Sequence, residues 1–326
     1  MKRMESLPEN GKVGTAPGKI ILAGEHAVVY GRPAVAVPVW DAVATAVISV
    51  QSSASFTMHA HDIQQVINIS DGGKADKSGN SEDNPLALAA RLALTELDLA
   101  YALPSWRIDI HSTIPIASGL GSGAAVSAAL IRAIFLQAGQ TIDDATLSAL
   151  IYESEKLHHG TPSGIDNTVV AYGKPVWYIK GNQPIPFQSK ASLSILIGDS
   201  GVAAPTKESV GDVRLAWQRD PAHYEHLFDQ IGEIVAKVRQ AIQVGNVEQL
   251  GGLFNQNQLL LEELQVSHPK LEQLIRTARE AGALGAKLSG GGRGGNMIAL
   301  VEPTAEERVK EALLKAGAKR VISTCI

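Results

Sequence analysis

The chain has 326 residues, of which 45% are apolar and 19% are charged, and its formal net charge is −4. This composition is typical of a globular protein with one or two domains, and the charge supplies no global basic field that would argue for nucleic acid or an anionic membrane as a partner. The one cysteine, Cys325, excludes an intrachain disulfide framework and fits a reducing compartment. Residues 1–10 lack the apolar core of a signal peptide, and the apolar stretch 34–50 is short for a membrane span. We therefore expect a cytoplasmic protein with no membrane or nucleic-acid partner.

The N-terminal half alternates short apolar segments with glycine, proline and polar clusters, which predicts a mixture of strands and helices. The predicted elements are, in chain order, strand–turn–strand over 13–31, strands at 34–37, 42–50, 55–61 and 66–70, a polar surface loop at 71–83, a helix at 85–99, a strand at 106–114, and helices at 124–137 and 143–158. Thr141 or Asp143 would cap the last of these helices.

The C-terminal half begins with strand patterns and then becomes mostly helical. The predicted elements are strands at 176–180 and 193–197, helices at 208–218, 224–242, 247–264 and 270–281, strands at 286–289 and 297–301, a helix at 304–316 and a strand at 318–323. The loop-like stretch 181–191 is a candidate boundary, which predicts domains at 1–185 and 186–326. The final order of strand, glycine loop, strand, helix and strand predicts a small α+β sandwich.

In the stretch 115–125, glycines lie between a predicted strand and a predicted helix. The first N–H groups of a helix have no partner within it, and its dipole is positive there, so Gly119 and Gly121 would let a phosphate come close. An ordinary tight turn explains this stretch alone equally well. A dinucleotide site is another alternative, because Gly-x-Gly-x-x-Ala also fits and residues 143–144 supply acids for a ribose. No strand–helix–strand repeat surrounds the loop, and NAD retained by the purified protein would support this alternative.

The opening segment and one later turn carry further candidate side chains. Lys19, Glu25 and His26 lie at or near predicted turns, although a surface lysine or a satisfied core histidine explains each alone. A polar turn at 158–168 carries Asp166, which alone could cap a helix. The adjacent histidines of this turn lack the i, i+4 spacing of a helical metal site.

Besides the opening segment and the stretch 115–125, a third glycine-rich loop, residues 290–295, carries Arg293. It suits a phosphate contact or a plain hairpin better than an RNA-binding Arg-Gly-Gly element, because such elements recur in disordered basic tracts. Taken together, the loops supply the parts that phosphoryl transfer needs. These are N–H groups and cations around the phosphates, an oxygen ligand for Mg²⁺, and an acid or base beside the accepting hydroxyl.

Four segments, residues 16–31, 118–122, 159–167 and 287–295, resemble in this order the motifs of the GHMP kinase superfamily, and most closely those of the mevalonate kinase family. The resemblance implies an α+β, two-domain GHMP kinase fold with an N-terminal α/β domain, a C-terminal ferredoxin-like α+β sandwich and an active site in the cleft between them. It also implies a kinase that uses ATP and Mg²⁺ to phosphorylate the 5-hydroxyl of mevalonate. A homodimer is among the assemblies that the resemblance allows.

The resemblance also implies roles for individual residues. Asp166 would accept the proton of the 5-hydroxyl, and Lys19 would stabilise the charge that develops there and on the γ-phosphate. The residues that would hold the ATP phosphates are Pro115, Ser118, Gly119, Leu120, Gly121, Ser122, Gly123 and Ala124. The residues that would contact the substrate are Glu25, His26, Thr206 and Gly291. The residues that would hold Mg²⁺ are Ser122 and Glu155.

The sequence departs from the family pattern at two positions. Gly123 stands where most members have a second serine that helps to bind Mg²⁺. Arg293 stands where a small residue is more frequent, and it would either add a phosphate contact or point to solvent. Other GHMP kinases acting on related substrates, namely mevalonate 3-kinase and phosphomevalonate kinase, remain alternatives. A non-catalytic ligand sensor is a weaker alternative, because Asp166 and Lys19 are both present, and residues 163–166 argue against a diphosphomevalonate decarboxylase.

Overall fold

The computed structural model describes residues 11–52, 55–69, 84–115, 118–159 and 163–326, except for the side chains of residues 158 and 159. The predicted loop at 71–83 therefore lies outside the described residues. The chain divides into two compact units. The first unit takes its residues from Met1–Gly18, Ala42–Ile114 and Ser122–Tyr172, and the second takes its residues from Lys19–Asp41, Pro115–Gly121 and Gly173–Ile326. These units group residues by proximity, so the boundary at residue 185 stays a prediction.

The first unit combines a sheet with packed helices. Its elements are β1 (Lys12–Ala23) and β2 (Ala34–Val50), which both continue into the second unit, β3 (Phe56–Ala60), β4 (Gln65–Ile69), α1 (Pro85–Glu96), β5 (Trp106–Ser112), α2 (Ser122–Gln137), α3 (Asp144–His159) and α4 (Ile165–Tyr172). The sheet runs in the order β4-β3-β5-β2, and β1 also pairs with β2. The helices pack on one another through small side chains: α2 buries alanines at 124, 125, 128, 129 and 133.

The strand pairing in this unit is incompatible with a dinucleotide-binding fold. Residues 44–50 of β2 run antiparallel to β5, whereas β3 runs parallel to β5. After α2 the chain continues into α3 and not into a further parallel strand. A doubly wound fold requires parallel strands joined by helices. The glycine loop before α2 is therefore not part of a strand–helix–strand repeat.

The second unit contains a short sheet edge and a helical layer on a separate sheet. Its elements are β6 (Val176–Tyr178), β7 (Ile185–Pro186), β8 (Ser194–Asp199), α5 (Thr206–Arg219), α6 (Pro221–Val244), α7 (Val247–Glu263), α8 (Pro269–Glu280), β9 (Gly285–Ser289), β10 (Asn296–Val301), α9 (Glu306–Lys315) and β11 (Arg320–Cys325). Residues 34–36 of β2 pair with β6, which pairs with β7. The other four strands form an antiparallel sheet in the order β11-β8-β10-β9. In this order β8, the first of the four along the chain, lies between β11 and β10, as in a ferredoxin-like sandwich. The predicted α+β sandwich is confirmed.

Several helix boundaries follow directly from capping residues that the sequence displays. Asp143 accepts hydrogen bonds from the backbone N–H groups of Ala145 and Thr146, so it caps α3 as predicted. Asn246 caps α7 in the same way, and the left-handed Gly245 ends α6 directly before it. Among the residues that the structure describes, no helix is long and apolar enough to cross a membrane.

The opening segment differs from the strand–turn–strand prediction. β1 continues through Pro17 and Gly18, because an extended backbone accommodates the fixed φ of proline, so Lys19 lies inside a strand and not at a turn. The second predicted strand is a 3₁₀ helix, Ala27–Tyr30. The predicted strands at 34–37 and 42–50 form one continuous strand, β2.

Candidate active site

Lys19 reaches the site on a buried strand. The residue is only 4% exposed, and its backbone N–H donates a 2.9 Å hydrogen bond to the carbonyl of Leu120. This bond joins the opening segment to the glycine loop at residues 118–121, called the first glycine loop, although the two are separated by about a hundred positions.

The first glycine loop turns the chain into the N-terminus of α2. Gly119 and Gly121 have φ values of 84° and 70°, a backbone conformation that glycine adopts without a steric penalty. The Ser118 hydroxyl donates to the Pro115 carbonyl at 2.8 Å and fixes the start of the turn. Because α2 begins at Ser122, its first N–H groups lack intrahelical partners. The end of the loop therefore has the local structure of an anion site.

The third glycine loop meets the first loop within the second unit. It joins β9 to β10 as a hairpin in which Ser289 is paired with Asn296. The Asn296 side-chain amide donates a 2.6 Å hydrogen bond to the Ser118 carbonyl. A Cβ atom added to Gly290 would lie 4.0 Å from the Gly119 carbonyl oxygen. The sequence predicted both loops, and the structure places them side by side.

The carbonyl of Gly291 joins His26 to α5. His26 Nε2 lies 3.0 Å from this oxygen, and the Ser209 hydroxyl donates to it at 2.7 Å. Thr206 lies against the same glycine, because a Cβ added to Gly291 would be 2.8 Å from the Thr206 hydroxyl oxygen. Three of the residues assigned to the substrate by resemblance (His26, Thr206 and Gly291) are therefore neighbours.

The imidazole of His26 is neutral and has one assignable tautomer. Burial lowers its pKa to about 4, and the positive charge of Arg293 contributes to that shift. Because the Gly291 carbonyl can only accept, Nε2 carries the proton and Nδ1 is an acceptor. Within the described part of the chain, Nδ1 is buried without a hydrogen-bond partner. A buried acceptor of this kind suits a ligand that donates a hydroxyl proton.

Glu25 forms a buried salt bridge with Lys287, a residue that was not assigned to the site from the sequence. Both side chains are completely buried, and Lys287 Nζ also donates to the Leu288 carbonyl at 2.5 Å. Burial raises the pKa of Glu25 and lowers the pKa of Lys287, against the attraction between the two groups. The second oxygen of Glu25, Oε2, is buried with no partner among the described residues. The sequence signal for Lys287 was a lysine in a short strand of otherwise uncharged residues.

Asp166 lies in the first unit, in the first turn of α4, and is half-buried. The sequence predicts a polar turn here, so the helix α4 is a correction to that prediction. The neighbouring Asn167 anchors α4 to α3, because its amide donates to the carbonyl and the hydroxyl of Ser148 at 3.1 and 2.9 Å. Thr168 adds a 2.6 Å hydrogen bond to the Gly164 carbonyl. Asp166 is thus held on a short, anchored helix and not on a free loop.

Glu155 and the start of α2 form a second group in the first unit. Glu155 is on α3 and is 8% exposed. A Cβ added to Gly123 would lie 3.6 Å from Glu155 Oε1, which is an ordinary van der Waals distance. The carboxylate of Glu155 therefore faces the first turn of α2, which also carries the half-buried Ser122. Hydroxyl and carboxylate oxygens are the ligand types that Mg²⁺ prefers.

The side chain of Arg293 forms a salt bridge with Asp212 of α5, a contact that neither alternative from the sequence included. Its backbone has a φ of 58°, and its N–H donates to the Val266 carbonyl at 2.8 Å. Arg293 therefore ties the third glycine loop to α5.

Comparison with known proteins supports the grouping of these motifs. Models of the GHMP kinases N terminal domain and the GHMP kinases C terminal match residues 86–174 and 238–319. The mevalonate kinase of Pyrococcus furiosus is 35% identical over 329 aligned positions, covering 95% of this chain and 95% of that relative. The chain belongs to the GHMP kinases.

Solved GHMP kinase structures share the fold along the whole chain. The Methanococcus jannaschii mevalonate kinase has a TM-score of 0.83 and 25% identity, with 98% of this chain and 99% of that chain covered. The L. major mevalonate kinase in complex with R-mevalonate has a TM-score of 0.77 and 26% identity, with 100% and 98% covered. As a GHMP kinase, the chain has the two-domain GHMP kinase fold and is an ATP-dependent kinase.

Proposed function

We propose that this GHMP kinase is a mevalonate kinase that transfers the γ-phosphate of ATP to the 5-hydroxyl of mevalonate. The observation that carries the proposal is the convergence of the motifs in the second unit. Lys19 donates a hydrogen bond to the first glycine loop, and Asn296 donates another to the same loop. His26 donates a hydrogen bond to Gly291 in the third loop. The buried acceptors His26 Nδ1 and Glu25 Oε2 would then receive hydrogen bonds from hydroxyl groups of the substrate.

In the proposed reaction, Asp166 accepts the proton of the 5-hydroxyl as that oxygen attacks the γ-phosphorus. Asp166 lies in the first turn of the anchored helix α4, which would hold its carboxylate in a fixed position, as a general base requires. Lys19 would place a positive charge beside the oxygens on which negative charge develops. Phosphoryl transfer depends mainly on such positioning and charge stabilisation, so these roles account for most of the chemistry that this chain must supply.

The phosphates of ATP would bind along the first glycine loop and the start of α2. The proposed contacts are those of Pro115, Ser118, Gly119, Leu120, Gly121, Ser122, Gly123 and Ala124. Gly119 supports this role, because a Cβ added there would meet no atom of the described residues within 4 Å. The loop therefore leaves space next to its own N–H groups.

Ser122 and Glu155 would hold Mg²⁺, which supplies charge neutralisation for the phosphates when it is bound. Gly123 fits this proposal, because a Cβ added there would lie 3.6 Å from Glu155 Oε1, so the start of α2 and this carboxylate are close together. No group of three or more histidine, cysteine, aspartate or glutamate side chains able to hold a metal is found among the described residues. The ion would therefore take its remaining ligands from phosphate oxygens and water, as is usual for Mg²⁺.

The experiment that tests the assignment compares the wild-type chain with Asp166→Asn. We expect turnover of mevalonate to fall by about a thousandfold, because removal of a general base typically costs 10²–10⁴-fold. ATP binding, measured by calorimetry, should change little. Asp143→Asn is the matched control, because it makes the same exchange at the N-terminus of α3. Asparagine caps a helix as well as aspartate does, so this variant should keep its activity. Near-normal turnover in a folded Asp166→Asn variant would overturn the proposed mechanism.

A further inference from the structure

The buried salt bridge between Glu25 and Lys287 is unusual for its complete burial. Neither side chain is exposed to solvent, and Lys287 lies in β9, where every residue is buried. Removing two charges from water is costly, and apolar side chains of similar volume frequently stabilise a core as well as a buried ion pair does. The presence of this salt bridge therefore calls for an explanation other than stability alone.

The backbone next to Glu25 makes a strained turn. His26 has φ 61° and ψ −51°, and the Ala27 N–H donates a 2.7 Å hydrogen bond to the Glu25 carbonyl. These values define a γ-turn with positive φ at its central residue, which is rare and strained in proteins. Such conformations persist only where the surrounding structure fixes them, and they concentrate at functional sites. The central residue here is the one whose imidazole donates to Gly291.

One face of β9 contacts both the turn and the strand before it. Lys287 and Ser289 are two residues apart, so their side chains lie on the same face of the strand. The Ser289 hydroxyl accepts from the Ile21 N–H and donates to the Ile21 carbonyl, both at 3.0 Å. Lys287 then contacts Glu25, the first residue of the γ-turn. Ser289 therefore holds β1 at Ile21, and Lys287 holds the γ-turn at Glu25.

We propose that Lys287 is a positioning residue, which through its buried salt bridge with Glu25 holds the γ-turn that aims the His26 imidazole at the substrate. The part that concerns the substrate rests on the proposed function. The part that concerns the imidazole does not, because it follows from the contacts of the chain alone. Without the Lys287 ammonium, the strained turn should relax, and the hydrogen bond from His26 Nε2 to Gly291 should weaken.

The test is the variant Lys287→Met, which keeps the length of the side chain and removes its charge. The ¹⁵N NMR signals of the His26 ring, assigned with His26→Gln, report its tautomer and titration between pH 5 and 8. In the wild type we expect the neutral Nε2–H form throughout. In Lys287→Met we expect a mixture of tautomers and a pKa closer to the ordinary value for histidine. The lowered pKa of His26 comes from burial, with a contribution from Arg293, so loss of the Lys287 charge would act by moving the ring.

The kinetic readout is a split between KM and kcat. We expect the KM for mevalonate to rise by about tenfold, the effect of one weakened hydrogen bond, while kcat changes less. Ser289→Ala is the matched control on the same face of β9, and we expect it to leave the His26 signals unchanged. The double variant Glu25→Gln with Lys287→Met avoids an unpaired buried carboxylate, so we expect it to fold and His26 to show the same altered signals in it.

The outcomes separate the two proposals. Unchanged His26 signals in a folded Lys287→Met or double variant would overturn the positioning role, whether or not mevalonate is phosphorylated. Altered His26 signals in a chain that does not phosphorylate mevalonate would support the positioning role and overturn the proposed substrate. Altered signals in Ser289→Ala as well would show that general loosening of β9 is responsible, and would also overturn the specific role of Lys287.

Discussion

The first and third glycine loops look alike in the sequence, but their glycines serve different purposes. A Cβ added to Gly119 would meet no described atom within 4 Å, whereas one added to Gly292 would lie 1.9 Å from the Val266 carbonyl oxygen. Gly294 is similar to Gly292, with the Ala203 carbonyl oxygen at 2.4 Å. The first loop therefore leaves open space at Gly119, whereas Gly292 and Gly294 let the third loop pack against its own chain. A glycine motif alone does not distinguish these two uses.

The largest expected effect is on the packed loop. We expect Gly292→Ala to lower the free energy of unfolding by about 3 kcal/mol or more, because it combines a positive φ with a severe steric overlap. Urea denaturation measures this effect. Gly252→Ala is the control, since Gly252 lies in α7 with no described atom near its added Cβ, and it should stabilise the chain slightly. Equal stability of Gly292→Ala and the wild type would contradict the packing role.

The next effect concerns pH and the third loop. His26 donates to Gly291 and has a pKa of about 4 in the folded chain, below its ordinary value of 6.5. Between these values only the unfolded chain binds the proton, so stability should fall as the pH drops from about 6.5 to 4, by about 3 kcal/mol in total, and should be unaffected by this group at higher pH. His26→Gln removes this dependence, so the difference between the two stability curves isolates it from Glu25, whose raised pKa acts in the opposite direction. If the stability of the wild type and of His26→Gln changed with pH in the same way, the lowered pKa of His26 would be contradicted.

A smaller effect on stability, but a clear one on ligand binding, is expected at the open loop. Gly119→Ala should cost about 1 kcal/mol because of its φ of 84°, and its methyl group would occupy the space proposed for the ATP phosphates. We expect weaker ATP binding in calorimetry. Gly181→Ala is a close control, since Gly181 has a φ of 85° and equally open surroundings. If both variants bind ATP like the wild type, the first loop does not hold the phosphates.

The smallest effect is expected for Gly123→Ser, which restores the serine that the family more often has. The added Cβ would be 3.6 Å from Glu155 Oε1, so we expect stability to change by less than about 0.5 kcal/mol. The new hydroxyl should lower the Mg²⁺ concentration needed for half-maximal activity. A higher Mg²⁺ requirement would contradict the proposed arrangement of Ser122 and Glu155.

The sequence predicted those parts of the fold that depend on local signals. The hairpin around residues 290–295, the cap at Asp143 and the start of α7 all follow from glycine, aspartate or asparagine at defined positions. The helix α4 was missed because it has only eight residues and follows a segment rich in glycine and histidine. The continuity of β1 was missed because proline and glycine usually interrupt strands.

The parts of the site that the sequence could not reveal depend on contacts between distant positions. Glu25 and Lys287 are 262 positions apart, and nothing in either local sequence indicates their pairing. Asn296 and Ser118 are 178 positions apart. The family resemblance assigned roles to residues of the candidate site, but it did not indicate the contacts that Lys287 and Asn296 make with them.

The central claim is tested most directly by identifying the phosphorylated product. The wild-type chain would be incubated with ATP, Mg²⁺ and, separately, mevalonate, 5-phosphomevalonate, galactose and homoserine, and each product examined by phosphorus NMR. We expect phosphate on the 5-oxygen of mevalonate and no comparable product from the other acceptors. Phosphate on the 3-oxygen, or activity on 5-phosphomevalonate alone, would contradict the proposed function while leaving the fold and the kinase chemistry in place.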